Sequence, residues 1–165
     1  VLEFGCNVGR NLTALRGALP EARLVGIDVN AAAVAEGARA TGLDLRTGDE
    51  RALAGFTDGE FDLVFTVSVL DQVADVDPIL RQLVRCAVAS GLPPRGRAAR
   101  RGKVLRHFDH AAGAVLDSTD ASYSWDLERR LRAHPRVWRL DRRPVYLHQA
   151  SLGPYYASYL AWLEP

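Results

Sequence analysis

Residues 1–12, VLEFGCNVGRNL, decide the fold. The apolar run at 1–4 stops at Gly5 and reads as a buried strand, while residues 10–19 set Leu12, Leu15 and Leu19 at helical spacing and stop at Pro20. The order is therefore strand, loop, helix. Gly5, Asn7 and Gly9 punctuate that loop. Glycine lets a backbone approach a ligand that a side chain would hold off, and asparagine tolerates the left-handed conformation better than most residues. A dinucleotide-binding turn needs a third glycine where this chain has Arg10. Glu3, an acid inside an otherwise apolar strand, would repel a pyrophosphate and suits a ligand with positive charge.

The pattern continues outward from this start. Residues 23–27 read as a second strand ending at Asp28, and Asn30 as the N-cap of a helix that carries Val34 and ends near Gly42. Residues 43–47 make a third strand, followed by the turn Gly48, Asp49, Glu50. The strongest strand pattern is 61–67. Asp77 and Pro78 then suit the N-cap and first residue of a helix with Ile79, Leu80, Leu83, Val84 and Ala87 inward and Arg81, Gln82 and Arg85 outward. Alternating strands and helices joined by short loops predict an α/β fold, a Rossmann-like, mostly parallel sheet with helices on both faces. Ligands bind such sheets beyond the carboxyl ends of the strands. Further on, Ser124 is a cap for a helix over 125–133 with Asp126 and Glu128 in its first turn, and 137–140, 145–147 and 155–163 have strand character, which predicts a closing antiparallel strand pair at the C-terminus.

Residues 89–102, ASGLPPRGRAARRG, interrupt the pattern. Proline removes ladder donors and there is almost no apolar side chain to bury, so this segment cannot be a central strand. Either it is an exposed basic loop, with the strand displaced to 103–108, or it is a strand damaged by a reading-frame slip; an apolar strand encoded in another frame of the gene would mark the slip.

The chain has 165 residues, 48% hydrophobic and 25% charged, which suits a single domain over 1–165, with 1–88 as a cofactor-binding half and 89–165 as an irregular basic segment and acceptor-side half. No apolar run is long enough to span a bilayer and no signal peptide is evident, so a soluble, cytoplasmic protein is expected. Cys6 and Cys86 have neither a disulfide framework nor zinc spacing around them and read as reduced thiols. Net charge is +1, but residues 1–80 carry 6 basic and 13 acidic side chains and residues 81–165 carry 15 and 7. The basic half is arginine without interleaved aromatics, Lys103 being the single lysine, which argues against nucleic acid as a partner.

The stretch at 1–12 resembles the first motif of class I S-adenosylmethionine-dependent methyltransferases, in which an apolar strand bears an acid two positions before a Gly-x-Gly-x-Gly turn. FDLVFTVSVLDQVAD at 61–75 looks like the fourth strand of that family and the loop after it, and the two together are similar to the type 11 and type 12 methyltransferases of small molecules. The resemblance implies S-adenosyl-L-methionine as cofactor, held by Glu3, Gly5, Cys6, Asn7 and Gly9, with Asp28 on the ribose hydroxyls, Asp49 on the adenine amino group, and Thr66 and Ser68 beside the methionine portion. Relatives carry a helix before the first strand, so a chain that begins in mid-strand reads as N-terminally truncated. Methyl transfer from a sulfonium needs alignment and exclusion of water, plus a base where the acceptor is a hydroxyl or ammonium. His107, Asp109 and His110 are the candidate catalytic residues on the acceptor side, with solvated loop histidines as the alternative; no metal site is expected. The expected partner is a small-molecule acceptor, not a membrane. Two rivals stay open: a methyltransferase-like domain that binds cofactor or a partner without turnover, and an NAD-dependent oxidoreductase.

Overall fold

The computed structural model describes residues 1–88, 103–105, 126–145 and 156–164, the side chains of 103–105, 143–145 and 156–158 aside. Its first half runs β1 (Leu2–Phe4), α1 (Arg10–Ala18), β2 (Val25–Asp28), α2 (Ala31–Thr41), β3 (Asp44–Thr47), a 3-10 helix (Glu50–Gly55), β4 (Val64–Thr66), a second 3-10 helix (Leu70–Gln72) and α3 (Asp77–Cys86). The second half contributes β5 (Lys103–Leu105), α4 (Leu127–Ala133), β6 (Val137–Val145) and β7 (Tyr156–Leu163).

Four strands form a parallel sheet in the order β3-β2-β1-β4. Leu2 pairs with Val25 and Val64, Glu3 with Gly26 and Phe65, and Phe4 with Ile27 and Thr66. Because side chains alternate across a strand, this register sorts the core into two layers. Leu2, Phe4, Val25, Ile27 and Val64 pack with Leu80, Leu83 and Val84 of α3 and Leu127 and Leu131 of α4. Leu24, Leu45 and Phe65 pack with Leu12 of α1 and Val34 of α2 on the other face. The sheet is thus covered on both faces, as expected. Chain order turns outward from β1 through β2 to β3 and then crosses back to β4, so the reversal of direction falls beside β1, where such sheets open a crevice at the strand ends.

The antiparallel close at the C-terminus is a three-stranded sheet, β5-β7-β6, and not a pair alone. Its Leu140, Tyr159, Ala161 and Leu163 join the α3–α4 core layer, so both sheets share one apolar interior. A bond between Arg130 and Asp77 ties α4 to the start of α3, and Arg136 Nη1 donates to Val84 O at 3.3 Å.

Several local expectations shift. Residues 137–140 and the start of 145–147 are one strand, β6, continuous through Pro144 to Val145; it lies at a sheet edge, the place in a sheet where proline is tolerated. Asp77 is the first helical residue of α3 and not its cap, and its N–H is accepted by Asp75 Oδ1 at 3.1 Å. Asp126 caps α4 by accepting from Arg129 N, where a first-turn position had been expected. The fourth strand is shorter than 61–67, with Phe61 instead making an isolated parallel bridge to Ala87. Arg85 does not point outward. Its guanidinium donates to Phe56 O and Leu53 O at 2.8 Å and to Asp58 Oδ1 at 2.7 Å, adding at Leu53 O to the bond from Phe56 N–H that closes the 3-10 helix. The displaced strand begins at Lys103 as expected; residues 89–102 and 106–108 lie outside the described residues.

Candidate cofactor site

The crevice beside β1 holds a cleft of about 460 Å³, lined at its base by Phe4, Gly5 and Asn7 and on its flanks by Asp28, Val29, Asn30 and Gly48 and by Val67, Ser68, Val69 and Gln72. Its size is within the range of small-molecule sites. The loop after β1 is shaped by left-handed residues, Gly5 at φ 80°, Asn7 at 48° and Gly9 at 78°. A Cβ on Gly5 would lie 2.0 Å from Val69 Cγ2, so only glycine lets the loop after β4 close against the loop after β1. Ser68, on that second loop, also has positive φ, 55°, and Gln72 Nε2 donates to its carbonyl at 3.2 Å. Non-glycine residues held in this region cluster at ligand sites, where surrounding structure enforces the strained conformation.

All five amides of the first loop are used within the protein. Gly5 and Cys6 N–H both donate to Ile27 O (2.7 and 3.0 Å), Asn7 N–H to Asp28 Oδ2 (2.7 Å), Val8 N–H to Asn7 Oδ1 (2.8 Å) and Gly9 N–H to Cys6 O (2.8 Å). A pyrophosphate is recognised by free N–H donors, and this loop offers none. What its backbone leaves for a ligand is acceptors, which suit a cation and hydroxyl groups. Asp28 is fixed on both oxygens, Oδ2 by Asn7 N–H and Oδ1 by Asn30 N–H at 2.8 Å. An ionised carboxylate has about four acceptor positions, so each oxygen keeps one for a further donor. Asn30 is the N-cap of α2, as its sequence predicts, and accepts from Ala33 N–H at 3.1 Å.

Gly5, Asn7, Asp28 and Ser68 therefore meet at one cleft, and the other expected residues lie behind or beside it. Glu3 is completely buried between β2 and β4, with Oε1 accepting from Asn11 Nδ2 at 2.6 Å and Oε2 without a hydrogen-bond partner. Burial pushes its carboxyl up to about 7, against the Asn11 bond and aided by the nearby Asp28 charge. Cys6 is buried in the α1–α2 layer, where a Cβ on Gly26 would come within 2.7 Å of its sulfur, and burial raises the thiol to about 12, with Glu3 and Asp28 adding to it. It is a packed neutral thiol. Gly9 starts α1 against Leu43 and Leu45. Asp49 Oδ1 caps the 3-10 helix by accepting from Arg51 N–H at 2.9 Å, and Gly48, not Asp49, lines the cleft. Thr66 is buried at the end of β4 with its hydroxyl lacking a partner. His107, Asp109 and His110 lie outside the described residues.

Sequence reasoning missed Val29, Asn11 and Gln72. Val29 is 70% exposed at the lip of the cleft, an apolar surface directly after the Asp28 carboxylate. The available signal was its place, one residue beyond a strand that ends in aspartate. Among the described residues no group of His, Cys, Asp and Glu could hold a metal ion, and no helix is long and apolar enough to cross a membrane.

With this fold and cleft in view, the chain belongs to the methyltransferase-domain family, whose model matches residues 2–92. It has the class I, Rossmann-like architecture, for which S-adenosyl-L-methionine is the cofactor. Solved structures agree in fold. A methyltransferase from Haloferax volcanii, solved in complex with the Trm112 activator, superposes with a TM-score of 0.72 over 99% of this chain and 82% of its own at 14% identity. A SAM-dependent methyltransferase from Aquifex aeolicus gives 0.66 at 18% identity, covering 97% and 79%. The [4+2]-cyclase SpnF gives 0.62 at 22% identity, covering 86% and 52%, so the same fold also hosts a reaction of another class. No curated relative matches the sequence at a significant level.

Proposed function

We propose that the chain transfers the methyl group of S-adenosyl-L-methionine to a small-molecule acceptor, and that the cleft between the loops after β1, β2 and β4 is where the cofactor sits. The observation that carries this reading is the Asp28 carboxylate, anchored at both oxygens, beside a loop whose five backbone amides are already used. That combination fits a ribose and the positive groups of an amino-acid sulfonium, and disfavours the pyrophosphate of NAD. When bound, the cofactor supplies an activated methyl group on a good leaving sulfur. The protein contributes position and dryness. Asp28 takes the ribose hydroxyls, Val29 covers the base, and Gly5, Asn7 and Ser68 hold the backbone against the rest of the nucleoside. His107, Asp109 and His110 are the candidates to remove a proton from the acceptor.

Calorimetric titration with S-adenosylhomocysteine, with NAD as control, tests the reading. Saturable binding of S-adenosylhomocysteine alone is expected. Asp28→Ala removes two charge-assisted contacts to the ribose, each worth roughly 1.5 kcal/mol, so affinity should fall about 100-fold with the circular dichroism spectrum unchanged. Equal binding of NAD, or an unaffected Asp28→Ala variant, would refute the assignment. Turnover across a panel of hydroxyl, amine and carbon acceptors separates an enzyme from a domain that binds without catalysis.

A further inference from the structure

A second cleft, of about 330 Å³, opens between the first 3-10 helix and α3 and shares no lining residue with the cofactor cleft. Its walls are Glu50, Arg51 and Ala54 on one side and Pro78, Arg81 and Gln82 on the other. Arg85, one turn beyond Arg81, fixes the two walls against each other through its bonds to Leu53 O, Phe56 O and Asp58 Oδ1. Its Nε also donates to Gln82 Oε1 at 2.8 Å, which occupies the oxygen end of that amide. The nitrogen end, Nε2, has no partner among the described residues, and there the guanidinium groups of Arg51 and Arg81 make neither a hydrogen bond nor an ion pair. Arg23, Arg46 and Arg139, by contrast, each pair with an acid of the protein itself. We propose that this second cleft is an oxyanion site, which takes the phosphate or carboxylate group of a small molecule between Arg51 and Arg81, with Gln82 Nε2 as a third donor.

A guanidinium presents its N–H donors as a planar fork that matches the oxygens of a phosphate or carboxylate two at a time. Two such forks, one from each wall, and an amide held by Arg85 make a set of donors with nothing inside the protein to satisfy. Glu50 is the one acid in the lining, set against two arginines, so the cleft keeps a positive balance. The acids next to the lining in sequence are already engaged. Asp49 Oδ1 accepts from Arg51 N–H, and Asp77 is bound by Arg130. The surroundings of Arg81 on the α4 side are positive as well: His134 is held below its ordinary value by burial first and then by the charges of Arg136 and Arg81. Ala54 and the Pro78 ring add apolar surface for the carbon part of a ligand. The site stands independently of what occupies the cleft beside β1.

Calorimetric titration of the full chain with inorganic phosphate at low salt tests the site, and a parallel titration with malonate separates a preference for phosphate from one for carboxylate. Saturable binding of at least one of the two is expected. Arg51→Gln and Arg81→Gln should each weaken that ion about tenfold, and Glu50→Gln should tighten it severalfold. Arg39→Gln, which alters an exposed arginine at the end of α2, should change nothing. Because the Arg51 and Arg81 side chains bond to nothing among the described residues, both variants should keep the circular dichroism and the ion-free Tm of the parent. Their affinity for S-adenosylhomocysteine should also match the parent's. Absence of saturable binding by both ions, or equal weakening by Arg39→Gln, overturns the proposal, since only general surface charge would then be at work. Loss of S-adenosylhomocysteine binding in Arg51→Gln or Arg81→Gln would assign these arginines to the cofactor cleft and overturn it equally. If the parent binds phosphate or malonate as expected and no S-adenosylhomocysteine, the cofactor reading fails and the oxyanion site stands.

Discussion

Two helical glycines invite the same substitution and should answer it with opposite signs. Gly17, in the last turns of α1, is exposed and has nothing within 4 Å of the place a Cβ would take. Alanine there should gain the helix propensity and lower unfolded-chain entropy that glycine forgoes, about 0.5–1 kcal/mol. Gly37, buried in the middle of α2, offers the same propensity gain, but its Cβ would lie 2.5 Å from Val8 O, 2.7 Å from Val8 C and 2.8 Å from Val8 Cα. Those are backbone atoms of the cofactor loop, so no side chain can rotate away. Relief needs a movement approaching 1 Å between α2 and the loop, and overpacking of this kind costs roughly 1–3 kcal/mol. With backbone as the obstacle, the upper part of that range applies, leaving Gly37→Ala about 1–2 kcal/mol less stable after the propensity gain. Urea unfolding at constant slope measures both changes; for a chain of this size, Tm should rise about 2–4 °C for Gly17→Ala and fall by a similar or larger amount for Gly37→Ala. Gly37→Ala should also weaken S-adenosylhomocysteine, since Val8 sits between Asn7 and Gly9. A Gly37→Ala protein more stable than the parent would refute the reasoning, because it would mean that α2 does not press on the loop.

Two more outcomes follow from the same geometry. Glu3 rises from 4.5 to about 7 on folding, so the unfolded chain loses its proton first and stability falls as pH climbs through that window, by about 3 kcal/mol once past it; Glu3→Gln should therefore be about 2–3 kcal/mol more stable than the parent at pH 8 and nearly equal at pH 5, measured by urea unfolding at both. Arg85→Ala strips donors from Leu53 O and Phe56 O and from Asp58, which should lower stability by about 2 kcal/mol, and Arg85→Lys should recover only a minor part because one ammonium cannot reach carbonyls on both sides of the turn.

The cost that Glu3 imposes on folding bears on what a sequence can disclose. The α/β order, the parallel sheet and the loop were legible because each rests on local chemistry: Gly5 and Gly9 at positive φ, Asn30 capping α2, the strand ending at Asp28. Glu3 stood out for a related reason, as one acid in an apolar run. What stayed hidden depends on partners distant in sequence. Arg85 reads as an outward residue by helical spacing, and it turns inward to donate to carbonyls some 30 residues earlier. Asp49 has the spacing of an adenine acceptor, and its carboxylate caps the helix that follows, which only the path of the chain after Gly48 decides. Cys6 sits in the ligand loop by position and in the core by orientation, since the left-handed Asn7 follows it and Gly26 leaves the space for its sulfur. In each case the residue type was informative and the direction of its side chain was not. A loop whose five amides are all committed, three of them to β2, has no backbone donor left for a phosphate, so a preference for a cation would come from the donors withdrawn as much as from the Asp28 carboxylate beside it.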